Sequence, residues 1–214
     1  MTGPPERVRH PIFARMYQRI AAAAEEAGAA GHRDRLLAGL TGRVVELGAG
    51  NGLNFGHYPT TVTEVVAVEP EPYLRARAEE AAAATAVSVR VVEGTSTAIP
   101  LPDASVDAGV ASLVLCSVPD QAAALAELRR VIRPGGELRF YEHVRASDAG
   151  WARWQRRVDP VWTHMAGGCH LTRETERGIA DAGFTIESSD RFRFAPVWVS
   201  RFSAEHVLGV ARRP

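Results

Sequence analysis

Hydrophobic residues fall along this chain in two alternating rhythms. Short apolar runs stand at 43–47, 64–68, 87–92, 108–114, 136–141 and 184–188, and the closing HVLGVARR has the same character. Each has the length of a buried strand and is rich in residues that favour one. Between them lie longer stretches with apolar residues at helical spacing, at 71–84, 119–132, 149–165 and 172–182. Upstream, Ile12, Met16 and Ile20 recur along an Ala-rich segment. That spacing predicts a helix over 11–30 ended by Gly31, then a short helix over 32–40. Pro134-Gly135-Gly136 separates a helix from the strand that follows. Seven strand-like runs alternating with helices predict an α/β fold, a doubly wound and mostly parallel sheet covered on both faces.

Composition narrows the classes of function. A chain of 214 residues suits one domain with a large core. The formal net charge is zero, so no basic field exists to neutralise phosphates and no nucleic-acid partner is expected. No run of 18 apolar residues occurs, and MTGPPERVRHPIF lacks the apolar stretch of a signal peptide. Neither a membrane span nor secretion is expected, and the two cysteines, too few for a disulfide framework, suit a reducing cytoplasm.

The chemistry concentrates after the first strand, in VVELGAGNGLN at 44–54. Glu46 ends a buried strand, where a carboxylate is costly unless something pairs with it. Gly48, Gly50 and Gly52 then strip the turn of side chains, which suits close approach of a ligand to the backbone. The next strand ends VVAVEP, placing Glu69 where an acid can accept hydrogen bonds from two ribose hydroxyls. A nucleoside-containing cofactor follows, of one of two kinds. A dinucleotide wants G-x-G-x-x-G and a clear helix start for its pyrophosphate. Here the glycines run G-x-G-x-G and the next position is Leu53. A cationic sulfonium cofactor, with no phosphate, suits Glu46 better.

E-x-G-x-G-x-G with an acid after the second strand resembles class I S-adenosylmethionine-dependent methyltransferases. VEGTSTAIPLPDASVD and LRRVIRPGGELRFYEHV resemble the ubiquinone/menaquinone-biosynthesis type. SLVLCSV, EHV, Asp159-Pro160-Val161-Trp162 and GCHLTRE resemble the microsomal alkyl-thiol methyltransferases and their bacterial relatives. The resemblance implies a Rossmann-like, seven-stranded methyltransferase fold over the single domain 1–214. It divides into an N-terminal helical lid (1–40), a cofactor core (41–144), a helical substrate-side insert (145–171) before the sixth strand, and the rest of the sheet (172–214). It implies S-adenosylmethionine as cofactor, S-adenosylhomocysteine as product and a small-molecule acceptor. The acceptor is most simply a thiol; a quinone-like, natural-product or lipid-amine acceptor, methylated on oxygen or nitrogen, is the alternative.

By the same resemblance, Gly48, Gly50 and Gly52 line the methionine moiety, Glu46 orders the loop with Asn54 in it, Glu69 holds the ribose and Pro70 packs near the adenine. Where the wider family has an Asp after the third strand, this chain has Thr95, with the Ser96 backbone beside it. Leu113 and Cys116 close the fourth strand, where cofactor and substrate meet. Tyr17, with Phe13, belongs to the lid.

Methyl transfer is an in-line displacement that mainly needs alignment. His143, just past the fifth strand, is the candidate base, since imidazole accepts a proton near neutral pH; the competing reading is a strand-end histidine bonded to backbone. Glu142 is a candidate for holding the loop together. Trp162, His164 and Cys169 in the insert are candidates for the substrate pocket. Trp154, Val158, Val161 and Met165 recur at helical spacing, as if covering the core. The spacing of Cys116, Cys169, His164 and His170 matches no common zinc framework, so no metal is expected.

Overall fold

The computed structural model describes residues 21, 23–195 and 198–214. Strands β1 (Gly42–Leu47), β2 (Val62–Val68), β3 (Val89–Val92), β4 (Val106–Ser112), β5 (Ile132–His143), β6 (Thr185–Arg193) and β7 (Glu205–Arg212) form one sheet. Its order is β3-β2-β1-β4-β5-β7-β6. The first five pair in parallel, while β7 runs antiparallel to both β5 and β6. Strand order reverses between β1 and β4, which opens a crevice at their carboxyl ends.

Helices α1 (Ala30–Leu37), α2 (Pro72–Ala83), α3 (Gln121–Val131), α4 (Ala149–Met165) and α5 (Thr175–Asp181) make the connections and cover the sheet. Acidic side chains start three of them. Glu71 accepts from Leu74 N, with Pro72 in the first turn; Asp120 accepts from Ala123 N; Asp148 accepts from Trp151 N. Each satisfies a backbone donor that the first helical turn leaves free. The central strands are apolar on both sides because both sides are covered. Val45, Val66, Leu125, Leu128 and Phe140 fill one layer, and Val44, Val65, Val110, Leu36 and Phe55 the other.

The sequence reading and the structure part at several boundaries. The helix expected over 11–30 lies mostly outside the described residues, as do Phe13 and Tyr17. Gly31 does not cap it but sits inside α1; the break falls at Gly28, whose φ of 112° no longer belongs to a helix. β4 stops at Ser112 rather than 114, because Leu113 adopts φ 56°. β6 runs on to Arg193 as a largely exposed edge, which an apolar-run criterion cannot detect. Val161 and Met165 do not cover the core: they stand 66% and 65% exposed on α4. In α4, Ala152 and Gln155 supply the buried contacts.

The two antiparallel pairings of β7 leave no room at Gly209. A Cβ there would stand 2.4 Å from Ser188 O and 2.5 Å from Phe140 Cζ. Gly209→Ala should cost about 1–3 kcal/mol by overpacking, read as a lower denaturation midpoint in urea; unchanged stability would mean that β6 is free to move off β7.

Candidate active site

Three carboxylates end three strands on the crevice side, and each is buried: Glu46 on β1, Glu69 just past β2 and Glu142 in β5. Every one is satisfied by a loop, so each shapes the loop that satisfies it. Glu46 accepts from Asn54 Nδ2 and Tyr58 OH, both at 2.8 Å. Asn54 Oδ1 in turn accepts from Arg33 Nη1 at 2.7 Å, and Arg33 Nε pairs with Glu25 at 2.8 Å. Burial is the main reason that the Glu46 carboxyl is pushed up to about 7, against the pull of Tyr58, Asn54 and Arg33. Its oxygens thus hold the glycine turn from beneath.

That turn is left-handed at Gly48 (φ 66°), Gly50 (φ 58°) and Gly52 (φ 81°). Cβ atoms would collide at two of the three. At Gly48 one would stand 2.4 Å from Val114 Cγ2, and at Gly52 2.7 Å from the Phe55 ring. Glu69 grips the middle of the turn. Its Oε2 accepts from Gly50 N at 2.8 Å and its Oε1 from Glu71 N at 2.9 Å. An ionised carboxylate has about four acceptor sites, so one remains on each oxygen. Two adjacent hydroxyl donors, as on a ribose, match that remainder. Burial again raises the group, to about 7.

Pro70 follows, half-buried, its carbonyl fixed by Arg75 Nη1. Beyond β3, Thr95 and Ala98 bridge across a turn that contains Ser96, and the Thr95 hydroxyl lies 3.3 Å from that of Thr97. Gly94 brings this turn against β2: a Cβ there would stand 2.8 Å from Val68 Cγ1. The glycine turn, Glu69-Pro70 and the 94–98 turn are therefore joined through β2, as one nucleoside would require.

On the other side of the switch point, Glu142 does what the sequence suggested. Its carboxylate accepts three successive backbone donors, Val114 N (3.1 Å), Leu115 N (2.9 Å) and Cys116 N (3.0 Å). Burial holds its carboxyl well above the usual range. Leu113, immediately before this loop, is a bulky residue in a left-handed conformation, a strained arrangement typical of functional turns. Val114, packed on Gly48, joins the two halves of the crevice.

The loop delivers Cys116 to a cluster assembled from three separate elements. Cys116 Sγ lies 3.6 Å and Cys169 Sγ 3.5 Å from His143 Nδ1. The donor atoms of all three lie within 4.8 Å of one another, and both cysteines are buried. A hydrogen bond with Cys169, then burial, pushes the Cys116 thiol well above its ordinary range. His170 N donates to Cys116 O at 2.8 Å, which ties the two cysteine loops together. Asp159 fixes the second loop, accepting from Leu171 N at 2.5 Å and meeting His170 Nδ1 at 2.9 Å. Asp159-Pro160 and Gly168-Cys169-His170 are thus two parts of one device.

Not every expected pocket residue reaches this cluster. His164 is exposed and bonds Pro160 O through Nδ1. Trp162 packs edge-on against Phe202 at 5.8 Å, beside Trp154, and its buried Nε1 has no hydrogen bond among the described residues. Neither the zinc spacing nor the pocket reading anticipated that His143, rather than His164 or His170, would meet both cysteines. The sequence reading also missed an aromatic wall behind His143. His206 lies 4.6 Å from its ring and stacks on Tyr141 and Phe192. Burial, then the His143 charge, lowers His206 to about 3. Alternation in EHVLGVAR and RFRF carried the only signal for this wall, since it places His206 and Phe192 opposite each other across β6 and β7.

The family described as "Methyltransferase domain" matches residues 45–140. Human thiol S-methyltransferase TMT1B is 36% identical over 185 residues, covering 82% of this chain and 73% of that protein. The crystal structure of a SAM-dependent methyltransferase from Thermotoga maritima superposes with a TM-score of 0.71 at 22% identity, covering 95% of this chain and 98% of that one. A geranyl diphosphate methyltransferase solved in complex with SAM gives 0.67 at 17%, over 88% and 86%. The left-handed glycine turn and the two acceptor sites remaining on Glu69 suit the nucleoside of that cofactor. The chain belongs to the S-adenosylmethionine-dependent methyltransferases, in one family with TMT1B.

Proposed function

We propose that the chain methylates the sulfur of a small, largely apolar thiol. The single observation that carries this reading is the 36% identity, across 82% of the chain, to a protein named thiol S-methyltransferase. The site chemistry supports it. Beyond the Glu142 carboxylate, which is buried and engaged by three backbone donors, the loop after β4 presents apolar and sulfur-bearing side chains. That setting suits an apolar thiol better than a cationic amine, which would want a free carboxylate.

Bound S-adenosylmethionine supplies a methyl group on a cationic sulfur. Gly48, Gly50 and Gly52 give its methionine part access to backbone; Glu46 and Asn54 keep the turn in shape. Glu69 takes the ribose hydroxyls, Pro70 flanks the adenine, and Thr95 and Ser96 bond its edge. Leu113 and Cys116 stand at the junction with the acceptor, which Cys169 flanks, while Trp162 packs away from the cluster on Phe202. His164 stands at the exposed rim, its Nδ1 on Pro160 O. His143, whose Nδ1 meets both cysteine sulfurs, promotes loss of the acceptor's proton. No described helix is long and apolar enough to cross a membrane.

Glu69→Ala should weaken S-adenosylhomocysteine binding at least tenfold. Hydrogen bonds to a charged acceptor contribute about 1.5–3 kcal/mol, and about 1.4 kcal/mol already gives that factor. With its carboxyl near 7, Glu69 accepts hydroxyls fully only when ionised. Affinity should therefore rise with pH through about 7 and level off above it, by up to about tenfold per unit below. Glu69→Gln should flatten the profile. Calorimetry across pH that found a flat wild-type curve would separate Glu69 from the cofactor.

A panel of alkyl thiols, phenols and amines with labelled S-adenosylmethionine tests the acceptor; turnover of phenols or amines without thiols would remove the thiol assignment. His143→Ala should slow thiol methylation most at low pH, where little acceptor ionises unaided, and progressively less toward the thiol's own pKa of about 8.5. Equal loss at every pH would make His143 a residue that merely holds the pocket.

A further inference from the structure

We propose that Cys116 Sγ, His143 Nδ1 and Cys169 Sγ are a three-ligand site for zinc, whose fourth position takes the acceptor sulfur. The inference rests on the thiol reading and changes how the thiol is ionised.

Geometry carries it. Zinc holds sulfur at about 2.3 Å and imidazole nitrogen at about 2.0–2.1 Å, so around a tetrahedral ion a sulfur and a nitrogen stand about 3.6 Å apart. The two sulfur-to-nitrogen separations here are 3.5 and 3.6 Å. No other described group of three or more such side chains comes together in this way. Three protein ligands with one position left open is the arrangement of catalytic rather than structural zinc.

The supports are built to hold the donors still. Glu142 fixes Cys116 N, His170 N fixes Cys116 O, and Cys169 N donates to Ala166 O at 3.1 Å. A Cβ at Gly168, next to Cys169, would stand 2.7 Å from Ser117 O, so only glycine lets the loops approach this closely. The Ser117 hydroxyl lies 3.5 Å from the Cys116 sulfur, placed to bond a coordinated thiolate. His143 is the half-buried member, so the open position lies toward its side. The cluster also sits where acceptor and donor must meet. Val114, two residues before Cys116, packs on Gly48 of the cofactor turn.

The chemistry balances without an oxidant or a further reactant. A thiol that coordinates zinc is deprotonated outright, its proton passing to solvent. That sulfur bonds the methyl carbon as the donor's carbon–sulfur bond breaks, and the electron pair stays on the donor sulfur. The product is a neutral thioether, a weaker ligand than the thiolate, and it leaves. His143 then acts by holding the ion through Nδ1 while Nε2 keeps its proton.

The test uses the full chain, loaded with zinc and separately with cobalt(II). Metal content is read by mass spectrometry and the cobalt protein by its absorption. S-adenosylhomocysteine binding controls for folding. Wild type should retain one ion per chain. The cobalt form should show sulfur-to-metal charge transfer and the intense visible bands of four-coordinate cobalt. Adding a small alkyl thiol should shift those bands. Cys169→Ser and His143→Ala should lose the ion while still binding S-adenosylhomocysteine. A wild-type protein that binds S-adenosylhomocysteine but no metal overturns the site. Thiol methylation at an undiminished rate after chelation overturns it too, and leaves the thiol reading standing. Metal retained, with bands shifted by thiol but no thiol methylated, upholds the site and removes the assigned reaction instead.

Discussion

Everything at the crevice depends on carboxylates buried at strand ends. A buried carboxylate must find donors, and in this fold the nearest donors are the backbone and side chains of the loops that leave the sheet. Glu46 therefore fastens Asn54 and Tyr58, Glu69 fastens the middle of the glycine turn, and Glu142 fastens three consecutive amides after β4. Glycines and a strained leucine are tolerated there because those acids overdetermine the path. Burial raises all three acids, which is the electrostatic cost of using them as anchors rather than as solvated strand ends.

Much of this was legible in the residues. Buried parallel strands are continuous apolar runs, and such runs marked the five parallel strands. Glu46, the glycines and Glu69 were readable because each is an expensive choice at its position. Glu142 was readable for the same reason. Less legible were features made by pairing across distance. The apolar run at 184–188 marks only the start of β6, whose exposed remainder to Arg193 is held by hydrogen bonds from β7. The meeting of Cys116, His143 and Cys169 joins residues up to 53 positions apart, from a loop, a strand end and a second loop. Local spacing cannot show such a meeting, because the sheet and the Asp159 clamp bring it about.

The apolar spacing of α4 misled for a different reason. Periodicity says that a stripe exists, not which way it faces. Gln155 lies at the buried centre of the helix because its side chain accepts from Ala146 N and donates to Phe202 O. That polar contact turns Val161 and Met165 outward.

The position of β7 bears on how the chain reaches this state. β7, the last of the described strands in chain order, is interior to the sheet, hydrogen-bonded on both edges. Until it arrives, β5 ends in an unpaired edge and β6 has no neighbour among the described strands. His206, the residue that completes the aromatic wall behind His143, comes with it. The five parallel strands precede β7 in the chain, so the aromatic wall behind His143 is complete only when β7 lies between β5 and β6.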